Sequence, residues 1–364
     1  MFSLAKFSGR SFDWLLFLAV FFLVAFGLMA IYSVDLSRGS ELIYFKRQIL
    51  ALSLGLIILF FSSALQYTFF KIYARWFYFA SVILLIGVLL FGQNIRGTTG
   101  WFNFAGFSFQ PVELAKVGLI LMLAYVISNA GRQFERPKFF FFTLFLTLTP
   151  IFFVMGQPDL GSAILLGAIW FILMFLTGAK KSLIFGFIVF FIVLSVFSWF
   201  FLLKDYQKDR VLTFINPAHD PLGSGYNVTQ SIIAVGSGNL FGRGLGFGSQ
   251  SQLRFLPETQ TDFVFSVIAE EMGFLGVSVI LILFLIIFWR LLSLASKTGN
   301  DFIALTVSGV VALFFTQFFI NIGANVGLLP VTGVTLPFVS YGGSSLMMNL
   351  LLIGIVESMV EKKY

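Results

Sequence analysis

Ten stretches of this chain are long and apolar enough to cross a lipid bilayer: 14–34, 46–63, 76–92, 110–128, 138–155, 160–177, 182–203, 263–289, 302–325 and 338–358. A membrane helix needs about 20 apolar residues, fewer where interfacial side chains anchor its ends. Backbone amides in lipid must find partners inside the protein, so spans of this kind are helices. The pattern predicts an all-α polytopic membrane protein forming a single integral domain over residues 1–364. One large extracytoplasmic loop, 204–262, separates the seventh and eighth helices. The fifth and sixth spans are joined only by Gly156-Gln157-Pro158-Asp159, a tight turn. The first is too long, and lacks the small-residue cleavage site, to be a signal peptide.

Composition narrows the chemistry. Hydrophobic residues make up 59% of the chain and charged residues 11%, a balance that excludes a soluble domain of this length. With no Cys there is no disulfide, thiol nucleophile or thiolate metal site, and the single His219 cannot build a histidine zinc site. The net charge of +7 does not signal nucleic acid, because the basic residues lie in short loops between apolar segments. Lys6, Arg10, Lys71, Arg75, Arg132, Arg136, Lys138, Lys180, Lys181, Arg290, Lys297, Lys362 and Lys363 fall on one side; Arg38, Lys46, Arg47 and Arg96 fall on the other. The positive-inside rule then puts both termini in the cytoplasm and the 204–262 loop outside.

That loop ends in Phe255-Leu256-Pro257-Glu258-Thr259-Gln260-Thr261-Asp262, which sets a carboxylate at the mouth of an apolar helix. Such a residue is costly unless it faces protein or water, which makes Asp262 the leading functional candidate. Eight glycines lie between Gly223 and Gly248, yet Gly242-Arg243-Gly244-Leu245-Gly246 follows no strand and no Gly-Lys-Ser/Thr occurs, so the glycines do not point to nucleotide binding. The glycines leave two readings: a flexible surface loop, or backbone lying close to a bulky anionic or sugar ligand. Residues 226–235 are apolar on one side and suit the membrane interface.

Three further polar clusters sit at or inside helices. Pro111 opens the fourth span, and Glu113 and Lys116, three apart, share a face in the favourable order. They read as a self-compensating pair or as a phosphate-binding Lys oriented by its neighbour. Asp159 is placed to cap the sixth span. Glu270 and Glu271 lie about two turns inside the eighth span, one about 80° from the Asp262 face and one nearly opposite. At least one must be satisfied structurally.

The motifs Gln110-Pro111-Val112-Glu113, Gln157-Pro158-Asp159-Leu160-Gly161, Asn216-Pro217-Ala218-His219-Asp220-Pro221-Leu222-Gly223, Phe255 through Phe263, Asn321-Ile322-Gly323 and Leu336-Pro337-Phe338-Val339-Ser340-Tyr341-Gly342-Gly343-Ser344-Ser345 run nearly end to end. Together they resemble the SEDS family (shape, elongation, division and sporulation proteins), its RodA-type elongation branch more than its FtsW-type division branch. The resemblance implies ten spans in the bacterial cytoplasmic membrane and glycosyltransferase activity on lipid II. It also implies a class B penicillin-binding protein as transpeptidase partner. Three positions depart from the pattern: Gln260 replaces the usual His, Val112 the usual Ser, and Gly100 the usual Arg, with Arg96 nearby.

On that resemblance, α-linked lipid II becomes β-1,4 glycan by one inverting displacement, with Asp262 as general base. Pyrophosphate leaves readily, so charge stabilisation matters more than a general acid. Lys116, Arg210, Arg243 and Arg254 are candidates for it, as is a Mg²⁺ or Mn²⁺ ion on oxygen ligands. Glu113, Asp159, Glu258 and Ser344 complete the expected substrate-binding set. A lipid-facing groove lined by Phe-rich surfaces is expected for the polyprenyl tail. A lipid II flippase and a small-solute transporter are the rival classes. No internal repeat supports a transporter, and the polar residues concentrate on one outer face.

Overall fold

The computed structural model describes residues 12–360 except 38, 40, 96–97, 105–106, 132–135, 202–204, 217–223, 254 and 257. Every predicted span is a helix. They are α1 (Trp14–Ser37), α2 (Ile43–Ala64), α3 (Tyr67–Phe91), α4 (Pro111–Asn129), α5 (Pro137–Gly156), α6 (Leu160–Leu176), α7 (Lys181–Phe201), α11 (Val264–Lys297), α12 (Asp301–Asn325) and α13 (Gly343–Glu357). Eight of these, among the described residues, are long and apolar enough to cross a membrane; α6 and α13, with 17 and 15 residues, are shorter. The chain is thus an all-α multi-pass membrane protein. A three-stranded antiparallel sheet between α3 and α4, with β1 (Gln93–Ile95), β2 (Thr98–Phe104) and β3 (Phe107–Phe109), was not legible in the sequence.

α4 lies at the centre, with almost every side chain from Pro111 to Ala124 buried against α3, α6, α12 and α13. Small residues let the neighbours close in. A Cβ on Gly118 would sit 3.0 Å from the Phe77 carbonyl, and one on Gly354 would meet the Leu59 carbonyl at 2.5 Å. Lipid-side packing, which gains little from hydrophobicity, favours such close backbone contact. α7 stands apart, its described side chains largely exposed.

The long loop is built rather than featureless. It holds α8 (Asp205–Ile215), α9 (Ser224–Ser237) and the single turn α10 (Ser249–Gln252). α9 lies against α11 and α12, with Val228, Ser231 and Ala234 buried. α11 breaks at Gly273 (φ 66°, ψ −164°). Before the break, Val264 to Glu271 are all buried within protein; beyond it, Phe274, Leu275, Ile282 and Leu285 are exposed on a lipid-facing side.

Candidate active site

Asp262 ends a tight turn just before α11. The amides of Thr261, Asp262 and Phe263 all donate to the carbonyl of Glu258, at 3.1, 3.2 and 3.4 Å, with Glu258 at φ 50°. Three neighbours fix this turn. On α12, the side-chain amides of Asn321 and Asn325 donate to the Asp262 carbonyl at 3.1 and 2.8 Å. From the loop before α13, the Ser340 hydroxyl donates to the Thr261 carbonyl at 2.7 Å and the Tyr341 amide to the Gln260 carbonyl at 2.8 Å. On α1, buried Asp35 accepts from the Gln260 side chain at 3.3 Å.

The mouth of α11 lacks a capping side chain of its own, since Phe263 stands at the cap. Asn325 supplies the cap from another helix: its Oδ1 accepts from the Ser266 amide at 3.1 Å and the Ser266 hydroxyl at 2.7 Å. One buried side chain therefore satisfies an orphan amide of α11 and holds the carbonyl of Asp262.

Asp262 lines a small, open surface cleft with Ile320, Asn321, Ala324 and 331–334. The 331–334 strip is shared with a second polar centre. Its Thr332 carbonyl presses on Gly161, where a Cβ would lie 2.7 Å away. There Asp159 caps α6, accepting from the Ser162 amide at 2.9 Å and its hydroxyl at 2.7 Å, and also from Gln110 at 3.3 Å. Gln110 precedes Pro111 and the first turn of α4, where Lys116 pairs with Glu113 at 2.7 Å, both buried. Around the two centres, Gln157 Nε2, Thr332 Oγ1 and Ser344 Oγ are buried without a hydrogen-bond partner among the described residues. Such atoms are available to a ligand.

The predicted residues thus separate. Asp262 stands in the cleft, Glu113, Lys116 and Asp159 form the adjoining centre, and Glu258 accepts from the Thr261 hydroxyl at 3.2 Å within the turn. Arg243 turns back on its own loop, donating to Ser249 Oγ at 2.9 Å and to the Ser237 carbonyl at 3.5 Å. Arg254, Arg96 and the side chain of Arg210 lie outside the described residues.

Glu270 is satisfied through both carboxylate oxygens, and Glu271 through Oε1 alone, its Oε2 being buried without a hydrogen-bond partner among the described residues. Glu270 accepts from the amides of Gln250 and Ser251 at 2.8 and 3.1 Å; Glu271 accepts from Ser33 of α1 at 2.6 Å and from Gln252 at 3.0 Å. Three of the loop glycines lie tight against α11. A Cβ on Gly238 would lie 1.8 Å from the Ala269 carbonyl, on Gly242 2.1 Å from that of Glu271, and on Gly248 2.6 Å from the Glu270 carboxylate. Sequence reasoning missed Asn321, Asn325, Ser340 and Asp35 as site-holding residues. The readable signal was a pair of amides four apart in an otherwise apolar helix, hence on one face.

The family profile FTSW_RODA_SPOVE, described as cell cycle protein, matches residues 13–364. The chain is 37% identical over 338 residues to the peptidoglycan glycosyltransferase MrdB of Escherichia coli K12, covering 92% of this chain and 90% of that one. It is 34% identical over 353 residues to the stage V sporulation protein E of Bacillus subtilis, covering 94% and 95%. Among solved structures, it is similar to a chain of a peptidoglycan synthase complex that coordinates polymerization and crosslinking (TM-score 0.81, 34% identity, 95% of this chain and 97% of that one). It is also similar to the rod shape-determining protein RodA of Thermus thermophilus (TM-score 0.71, 30% identity, 96% of each chain). With end-to-end identity of this order and the same helical architecture, the chain belongs to the FtsW/RodA/SpoVE family.

Proposed function

We propose that this protein is a peptidoglycan glycosyltransferase of the RodA type, polymerising lipid II into β-1,4 glycan during cell elongation beside a crosslinking class B penicillin-binding protein. The single observation that carries the reading is Asp262: a carboxylate at a helix mouth, on a turn fixed from two helices and a loop, lining a cleft. Its role is general base. A sugar hydroxyl becomes acidic only as its oxygen bonds to the anomeric carbon, so a carboxylate must already be in place to take the proton. Fixing the turn through its carbonyls confines the carboxylate before substrate arrives, where misplacement by 1 Å can cost about 10²-fold in rate.

The adjoining centre suits the anionic leaving group. Lys116 offers a cation already oriented by Glu113, and the unpartnered Gln157, Thr332 and Ser344 atoms suit sugar or phosphate oxygens. Among the described residues no three His, Asp or Glu side chains converge on a common point. A Mg²⁺ ion would therefore be held mostly by substrate phosphate oxygens with one carboxylate, a mode usual for this ion. It would supply charge neutralisation at the leaving pyrophosphate. Both termini are cytoplasmic in this reading, which puts 204–262 and Asp262 at the outer face.

The test is polymerisation of purified lipid II by wild type and Asp262→Asn, each alone and with the cognate penicillin-binding protein. Long glycan chains from wild type and none from the folded variant are expected. Equal polymerisation by the variant removes Asp262 as base. Lipid II translocation without polymer, unaffected by the substitution, shifts the function to flipping.

A further inference from the structure

The 239–247 turn between α9 and α10 is spliced into the broken ladder of α11. A helix interrupted at Gly273 leaves the carbonyls of Glu270 and Glu271 and the amides of Phe274 and Leu275 without their usual partners. The turn satisfies all four. Arg243 and Gly244 amides donate to the Glu270 and Glu271 carbonyls, each at 3.0 Å; Phe274 and Leu275 amides donate to the Asn239 and Leu240 carbonyls at 2.8 and 3.1 Å. Two lost helical bonds become four. Gly242 (φ 79°) and Gly273 make the approach possible, since a Cβ on Gly273 would lie 2.2 Å from the Gly242 nitrogen.

α9 descends beside α11 in the same chain direction, Ser231 meeting Ser266 and Gly238 meeting Ala269. Among the described residues the turn is therefore the part of the long loop that reaches furthest along α11. Its depth follows from the other end of that helix. Arg290 pairs with Asp13 at 2.6 Å, flanked by exposed Trp14 and Trp289, which marks a membrane boundary. From Arg290 to Phe274 is 16 residues, about 24 Å at 1.5 Å per residue, against a hydrocarbon core of about 30 Å. The level of Phe274 thus falls inside the far leaflet, and the turn bonded to it sits at the same level.

The turn's side chains match that environment. Phe241 and Phe247 are 78% and 77% exposed, with Leu240 and Leu245 beside them, continuous with the lipid-facing Phe274 and Leu275. Non-helical backbone at such depth needs partners from protein, and the amides of Gly242, Arg243, Gly244 and Phe247 and the carbonyls of Asn239 and Leu240 have them. Arg243, exposed and folded back toward Ser249, can reach the headgroup phosphates as snorkelling arginines do.

We propose that 239–247 is a re-entrant membrane anchor: Phe241, Leu245 and Phe247 insert into the leaflet opposite the Arg290 boundary, with Arg243 at the phosphate level. This stands independently of the catalytic reading.

The absence of cysteine in the native chain makes the test direct. Phe241→Cys and Phe247→Cys, labelled with an environment-sensitive fluorophore, are reconstituted in phosphatidylcholine vesicles. Ile282→Cys serves as the lipid-facing control and Gly299→Cys as the aqueous control. Lipids brominated near the glycerol end of the acyl chain should quench both anchor labels about two-fold or more, as for a group seated at the headgroup–acyl boundary. Iodide should quench them several-fold less than the Gly299 label. Iodide quenching equal to that control, without bromolipid quenching, overturns the proposal. So does protection from both quenchers, which would mean that protein rather than lipid covers the turn. Two independent label sites guard against one substitution disturbing the fold.

Discussion

Removing the side chain of Asn325 should separate the two tasks it performs. In Asn325→Ala the buried Ser266 amide loses its side-chain acceptor, while the Asp262 carbonyl keeps Asn321 at 3.1 Å. An orphaned buried amide costs about 1–3 kcal/mol, and the lost bond to Asp262 about 1 more. The single variant should therefore be about 2–4 kcal/mol less stable in detergent unfolding. Asn321→Ala removes the other donor to the Asp262 carbonyl and one to the Val334 carbonyl at 2.8 Å, and should cost about 1–2 kcal/mol. The double variant is decisive. Only there does the Asp262 carbonyl lose both side-chain donors, so the losses should exceed their sum by about 1 kcal/mol. Polymerisation should show the same pattern. In each single variant kcat falls about 10-fold with KM for lipid II little changed, and in the double about 100-fold or more. Additive stability losses, or a double variant with wild-type kcat, would refute the claim that this amide pair positions the base.

Three further experiments probe neighbouring parts. Gly242→Ala should destabilise by more than about 2 kcal/mol in thermal unfolding, because its Cβ meets backbone at 2.1 Å, whereas Gly246→Ala, also at positive φ but with open space, should cost only about 1 kcal/mol. Lys116→Met leaves buried Glu113 unpaired and should cost about 3–5 kcal/mol; adding Glu113→Gln should restore most of the stability. If the double variant folds but does not polymerise, Lys116 contacts substrate; if it polymerises, the pair is structural only. Asp159→Ala should lose about 1 kcal/mol from the α6 cap, and a rate loss beyond about 10-fold would add a substrate role to capping.

The helices were legible because a bilayer imposes length and apolarity on every span, and all ten predicted stretches are helical. Asp262, Asp159 and the Glu113–Lys116 pair were legible for the same reason: charge is conspicuous in an apolar chain. The rest depended on contacts between distant segments. No local pattern links Asn325 to Ser266, or Gln260 to Asp35, and neither amide looks unusual by itself. The glycines were conspicuous, but their sequence could not say which backbone they approach. Gly273 read as an ordinary residue inside an apolar run, so the break it makes in α11 was invisible. Small sheets such as β1–β3 escape hydropathy altogether.

The break explains how Asp262, the proposed base, can be held firmly at this helix mouth. A helix entering the membrane from water has frayed amides at its first turn, and a carboxylate there would move with them. Here the first two turns of α11 are withdrawn from both water and lipid, enclosed by α9, α10, α1 and α12. Glu270 and Glu271, an extravagance inside an apolar span, face this enclosure and tie α10 and α1 to it through Gln250, Ser251, Gln252 and Ser33. Their burial costs desolvation that only several hydrogen bonds each can offset. Without α10 and Ser33 the same carboxylates would be buried unpaired, while the break lets the 239–247 turn bond the backbone carbonyls of the same two residues. The kink, the glycines, the paired glutamates and the amide cap on α12 are therefore one device, and its product is a rigid Asp262 at the membrane surface.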